Sequence, residues 1–214
     1  MSTLSTLPIL DDLCQRLGGI AMSRIRSHPA PGTATVADVI EIQDHEDISC
    51  ELIEGVLVEK SMGLMESRIG SAMIVMLYTF VVPRNLGFVS GMDGTYELMP
   101  HLVRIPDVAF TSWDRLPGRS SPPAPVPALA PNLAVEVLSH SNTPGEMTLK
   151  RRDYFAAGVE LVWEIDPESR TIDVYTSATN VRTLTIADTL DGGAVLPGFA
   201  VGVGDVFAEL DRRG

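Results

Sequence analysis

Leu133-Ala134-Val135-Glu136-Val137-Leu138 is an apolar run broken by a single acid. Its length and its valines read as a short buried strand. In a strand the i±1 neighbours point to the opposite face, so Glu136 shares its own face with Ala134 and Leu138. That is no natural home for a solvated charge, and burying a carboxylate without a partner is costly. A second acid, Asp107, stands in the same way within Arg104-Ile105-Pro106-Asp107-Val108-Ala109-Phe110. Pro106 has no N–H and suits a strand edge or bulge, where side chains are re-aimed. Alone, Asp107 reads equally as an exposed strand aspartate. Two such acids in neighbouring strands point to a shared partner, and a divalent cation is the economical one.

Outward from that run, the polar turn Ser139 to Gly145 leads into a helix over about Glu146 to Ala157, with Gly158 as its stop. Strands are expected at Glu160 to Ile165, Thr171 to Thr176 and Val181 to Ile186, then Leu196-Pro197-Gly198-Phe199 and a last helix over Asp205 to Leu210. Toward the N-terminus, residues 115–131 are rich in Pro, Ser and Ala and read as an extended surface loop. Short strands precede it at Phe88 to Ser90, Thr95 to Leu98 and Val103 to Phe110. Met65 to Val82 has helical spacing, with Ile69, Met73, Met76, Leu77 and Phe80 on one side. Cys50 to Lys60 reads as a hairpin turning near Gly55, and a helix before it opens on the capping pair Thr35 and Asp38. Residues 1–34 form a partly ordered lead-in to a domain over 35–214. The order of elements predicts an α/β (α+β) fold, a mixed sheet flanked by helices.

The chain has 214 residues, 45% of them hydrophobic, and a net charge of −12. That balance counts against a general nucleic-acid-coating role, which leaves a basic footprint. It does not exclude an enzyme whose carboxylates attract metal. Cys14 and Cys50 lie in no metal-ligand spacing, which fits a reducing cytoplasm. The longest apolar stretch, Ile69 to Val82, is too short for a bilayer, so no membrane partner is expected. His28, His45, His101 and His140 share no paired spacing, and no phosphate-cradling glycine motif is present.

Lys150 lies 14 residues after Glu136, early in the helix, and completes a set suited to metal-assisted phosphodiester chemistry. Arg151 and Arg152 extend it into a local cationic stretch, or simply a solvated helix face. Glu51, in Cys50-Glu51-Leu52-Ile53-Glu54-Gly55, reads either as an outward hairpin residue or as a third carboxylate. Glu66, at the start of the long helix, carries the same two readings.

Taken in order, the hairpin Glu51 to Val58, Ile105 to Phe110, Ala134 to Ser141, Lys150 to Tyr154, Ala157-Gly158-Val159, Val162 to Pro167, Val174-Tyr175 and Leu196 to Phe199 resemble the putative restriction endonuclease family of the PD-(D/E)XK nuclease superfamily. The resemblance covers roughly Thr35 to Leu210. It implies a restriction-endonuclease-like fold, with Asp107 and Glu136 as the acids that bind Mg²⁺ or Mn²⁺. Lys150 takes the place of the superfamily lysine, displaced from the position of Leu138 to the following helix. Glu51 matches the acid of the family's opening hairpin. The implied activity is endonucleolytic hydrolysis of DNA, with a homodimer as the arrangement suited to cutting both strands. A non-catalytic binding module on the same fold and a hydrolase of smaller phosphodiesters are the alternatives. Three positions depart from the family pattern: Glu66 stands for a usual histidine, His140 for a usual proline, and Glu164 for an apolar residue.

Overall fold

The computed structural model describes residues 7–46, 48–61 and 63–213. In chain order its elements are α1 (Leu7–Arg16), α2 (Val36–His45), β1 (Cys50–Ile53), β2 (Val56–Glu59), α3 (Leu64–Val81), β3 (Gly87–Ser90), β4 (Tyr96–Met99), β5 (Leu102–Arg104) and β6 (Val108–Ser112). There follow β7 (Leu133–Val137), α4 (Pro144–Ala156), β8 (Leu161–Asp166), β9 (Thr171–Tyr175), β10 (Val181–Leu184), β11 (Thr189–Gly192), β12 (Leu196–Gly202) and α5 (Val203–Asp211).

Six strands form the main sheet in the order β10-β9-β8-β7-β6-β3, with β7 and β8 parallel and the other pairs antiparallel. A parallel pair needs a crossover, and α4 supplies it. α3 and α5 cover one face, where Ile69, Met73, Leu77, Val206 and Phe207 pack on Phe110, Val135, Val137 and Trp163. By length and composition α3 is apolar enough to cross a membrane, yet its buried stripe is part of this core. The opposite face carries Ala109, Ala134 and Val162 against Tyr154 of α4. Period-two alternation along β7 therefore turns Glu136 toward α4.

A second sheet, in the order β2-β1-β5-β4, lies beside the first. The sequence led us to expect one strand from Val103 to Phe110; the structure breaks it at Ile105-Pro106-Asp107, and the chain passes there from the second sheet to the first. The cause is local. Pro106 has no donor, Ile105 N–H donates to the Glu51 carboxylate at 3.2 Å, and Asp107 N–H donates to the Val135 carbonyl at 3.0 Å. Asp107 thus stands at a corner between two sheets. The hairpin β11–β12 occupies the stretch that showed in the sequence only as Leu196-Pro197-Gly198-Phe199.

The turn of the first hairpin is Glu54-Gly55, with φ of 50° and 75°, the twist that suits antiparallel strands. Segment 17–34 lies against this hairpin. Leu17 and Ile20 pack on Val56 and Val58, and the Gly32 and Ala34 N–H groups donate to the Gly55 carbonyl at 2.8 and 2.9 Å. A Cβ at Gly55 would come within 2.7 Å of the Gly32 carbonyl, whereas one at Gly32 would meet nothing within 4 Å. Urea unfolding should therefore show Gly55→Ala losing about 2–3 kcal/mol, and Gly32→Ala about 1 kcal/mol from the positive φ alone.

Candidate active site

Four charged side chains drawn from distant segments meet where the two sheets and α4 converge. Glu51, Asp107, Glu136 and Lys150 are each at most 4% exposed. The Lys150 ammonium lies between Glu51 Oε1 at 3.1 Å and Glu136 Oε2 at 3.2 Å. One turn along α4, the Tyr154 hydroxyl donates to Glu136 Oε1 at 2.5 Å. Asp107 Oδ2 accepts from Val137 N–H at 2.6 Å, and its Oδ1 faces Lys60 Nζ at 2.7 Å. Lys60 also donates to the Ile105 carbonyl at 2.7 Å, which ties the end of β2 to the corner that carries Asp107. Behind Lys150, Arg104 bonds Glu51 Oε2 at 2.8 Å and Asp153 Oδ2 at 2.5 Å.

At the centre is a void of about 10 Å³, close to the room for one water. Lys60, Glu66, Asp107, Glu136 and Lys150 wall it, with Arg24 at its rim. Glu66 is 6% exposed at the first turn of α3, and its Oε2 would sit 2.4 Å from any Cβ at position 63, so Gly63 leaves it room. Of the two readings of Glu51, the inward one holds. Its carboxylate faces Lys150 and Arg104 and does not reach the void. The cationic stretch after Lys150 is less free than its sequence implies, because Arg151 Nη1 donates to both Glu164 oxygens at 2.8 and 2.9 Å.

Burial pushes the Glu136 carboxyl up to about 7; the Lys150 ammonium offsets part of that and Asp107 adds to it. Burial acts on Glu51 as well, but Lys150 and Arg104 together hold it down at about 2. For Lys150, burial opposes the charged form, while Glu136 and Glu51 more than compensate and raise its pKa. Lys150 is therefore a fixed cation and Glu136 the group poised to gain or lose a proton near neutrality.

Several residues of this network escaped the sequence reading. Lys60 closes the hairpin after Glu59, where a charge looks solvated. Arg104 interrupts Leu102-Val103 and Ile105 as Glu136 interrupts its own strand, a signal that was present in the sequence. Arg24 reaches Glu146 across 122 residues, at 3.0 and 2.8 Å, and no local pattern announces that.

The Uma2 family model, described as "Putative restriction endonuclease", matches residues 36–204. The chain belongs to the Uma2 family. A crystal structure of a putative nuclease of the DUF820 group from Anabaena variabilis has the same fold, with a TM-score of 0.65 and 20% identity over 76% of this chain and 91% of that one. Comparison with curated proteins gives no match. Arg24 lies outside the span matched by the Uma2 model, whereas Asp107, Glu136 and Lys150 all lie within it. Glu66, His140 and Glu164 line an open cleft of about 510 Å³ beside the void.

Families with this fold imply a divalent metal, and the donor chemistry here fits one. Asp107 and Glu136 offer hard carboxylate oxygens to a space of one-water size, with Glu66 across it. Among the described residues no three His, Cys, Asp or Glu side chains converge as a ready-made site. A pair suffices for Mg²⁺, which is held by one or two carboxylates and keeps several waters.

The pH dependence has a definite sign. Below about 4.5, Glu136 is protonated in folded and unfolded chains alike; between about 4.5 and about 7 only the folded chain keeps its proton, so stability falls as pH rises. The Glu51 contribution, depressed to about 2, is fully present above about 4.5 and does not change in that window. In chelator, the melting temperature should drop from about pH 5 to about pH 8. Calorimetric titration of Mn²⁺ should give tighter binding at the higher pH, where Glu136 is ionised.

Proposed function

We propose that the protein is a Mg²⁺- or Mn²⁺-dependent nuclease that hydrolyses phosphodiester bonds in DNA, with Asp107 and Glu136 holding the ion. The observation that carries this reading is the convergence of Asp107, Glu136 and Lys150, from three separate segments, around one small polar void. Membership in a family described as restriction endonucleases supports it. When bound, such an ion polarises the scissile phosphate and lowers the pKa of an attacking water.

The chain's own residues divide the remaining work. Lys150, kept charged by Glu51 and Glu136, places a positive charge at the void where negative charge develops on a phosphate in the transition state. Glu51 is a positioning residue: with Arg104 it fixes the rear of Lys150. Tyr154 holds Glu136 Oε1, which fixes the carboxylate plane. Lys60 balances Asp107, and its flexible stem lets the ammonium turn from that carboxylate to a phosphate oxygen.

The test is cleavage of single- and double-stranded DNA in Mg²⁺, Mn²⁺ or chelator. Asp107→Asn and Glu136→Gln keep side-chain volume and should lower metal-dependent cleavage by about 100-fold or more. Intact melting curves would show that the fold survives. Wild-type protein that cuts no DNA in either metal would refute the reading.

A further inference from the structure

Hydrolysis at Asp107 and Glu136 leaves unused the open cleft beside the void. Its volume of about 510 Å³ lies in the range of small-ligand pockets, and Glu66 and Asn142 wall both it and the void. A group attached to a phosphate at the void therefore has a direct way in.

Its chemistry argues against a second phosphate. Glu66, Glu164, Asp166 and Glu168 line it, while the one arginine there, Arg151, is already neutralised by Glu164. A neutral group carrying N–H donors suits those carboxylates. Glu66 is more than nine-tenths buried and has no side-chain hydrogen bond or ion pair among the described residues, so it offers an unused acceptor to both spaces. The wall also contains a flat platform. The Arg151 guanidinium lies 4.6 Å from the centre of the Tyr175 ring, and its Nη1 donates to both oxygens of Glu164. Met65, Leu138 and Met147 supply apolar surface nearby. Planar aromatic heterocycles stack on arginine and tyrosine planes, and their amino groups donate to carboxylates.

We infer that this cleft seats an unpaired nucleobase of the strand whose phosphate lies at Asp107 and Glu136, so that the preferred substrate is single-stranded or flipped out of a duplex. The inference rests on the proposed hydrolysis and names its substrate class. A base inside a duplex cannot enter such a cleft without leaving its stack. The net charge of −12 also favours a short local contact over a long duplex track.

The experiment compares a single-stranded oligonucleotide, its duplex and an all-abasic strand of equal length. Binding is read by fluorescence anisotropy in chelator and cleavage in Mn²⁺. Wild type is set beside Thr148→Trp and His140→Trp, two exposed positions that line the cleft; Thr148 Oγ1 accepts from Arg151 Nη2 at 3.0 Å, so His140→Trp is the variant that leaves the Arg151 contacts in place. The expected result is that wild type binds and cuts the single strand at least about fivefold better than the other two substrates. Both tryptophan variants should lose that preference while binding Mn²⁺ as wild type does. Equal handling of the duplex or abasic strand, or variants that keep the preference, would overturn the inference and leave hydrolysis standing. If wild type cuts nothing, hydrolysis fails, and the anisotropy arm alone decides: base-dependent binding lost in both variants upholds the nucleobase cleft, and its absence overturns it.

Discussion

An ammonium buried between two carboxylates is the constraint on which the rest depends. Lys150 is 3% exposed, and its countercharges come from different sheets, Glu51 on β1 and Glu136 on β7. Were either carboxylate removed, the buried ammonium would keep a single countercharge, and the tie between its helix and one of the sheets would be lost. So α4, β1 and β7 cannot shift independently. Arg104 repeats the device one layer deeper, joining Glu51 to Asp153 of α4 with the guanidinium 1% exposed. Hydrophobic packing holds each sheet to its helices and, through Tyr96 and Leu98 beside Ala109 and Ala134, joins the sheets to each other; the ion pairs add a fixed register.

The corner at Ile105-Pro106-Asp107 does for Asp107 what the pleat does for Glu136. A chain that leaves one sheet for another must give up ladder bonds, and here side chains and one proline take them over. The Ile105 N–H goes to Glu51, and the Ile105 carbonyl receives Lys60. Of the groups that satisfy the corner, Lys60 also walls the void, and Glu51 holds Lys150, which does. Structure and site draw on the same hydrogen bonds.

How much of this was legible follows from the range of each interaction. Glu136 and Asp107 stood out because each violates a local apolar pattern, and a violated pattern is visible in six or seven residues. The helix after Glu136 was legible from its Gly158 stop, and Lys150 was read into the set from its place early in that helix, although nothing local fixes its direction; the family resemblance agreed. Val103 to Phe110 read as one strand because alternation continues through Pro106, although the proline marks the break. Lys60 and Arg24 were illegible: the first looks like a hairpin terminus, and the second acts across more than a hundred residues. The β11–β12 hairpin was hidden because Pro197 and Gly198 suppress strand propensity where β12 bends.

The charge pattern around the void bears on the order in which ligands arrive. Lys60 faces Asp107, Lys150 is shared by Glu136 and Glu51, Arg104 is divided between Glu51 and Asp153, and Arg24 is held by Glu146. Each cation is thus matched to a carboxylate, and Glu66 remains as an additional acid facing the space. A phosphodiester approaching such a site meets no surplus of positive charge. Under the proposed function, a dication held by Asp107 and Glu136 would supply that charge and take over part of the lysines' countercharge duty. On that proposal a strongly acidic protein would handle an acidic substrate without a basic surface, with metal and phosphate binding interdependently. The buried lysines keep the carboxylates assembled until then.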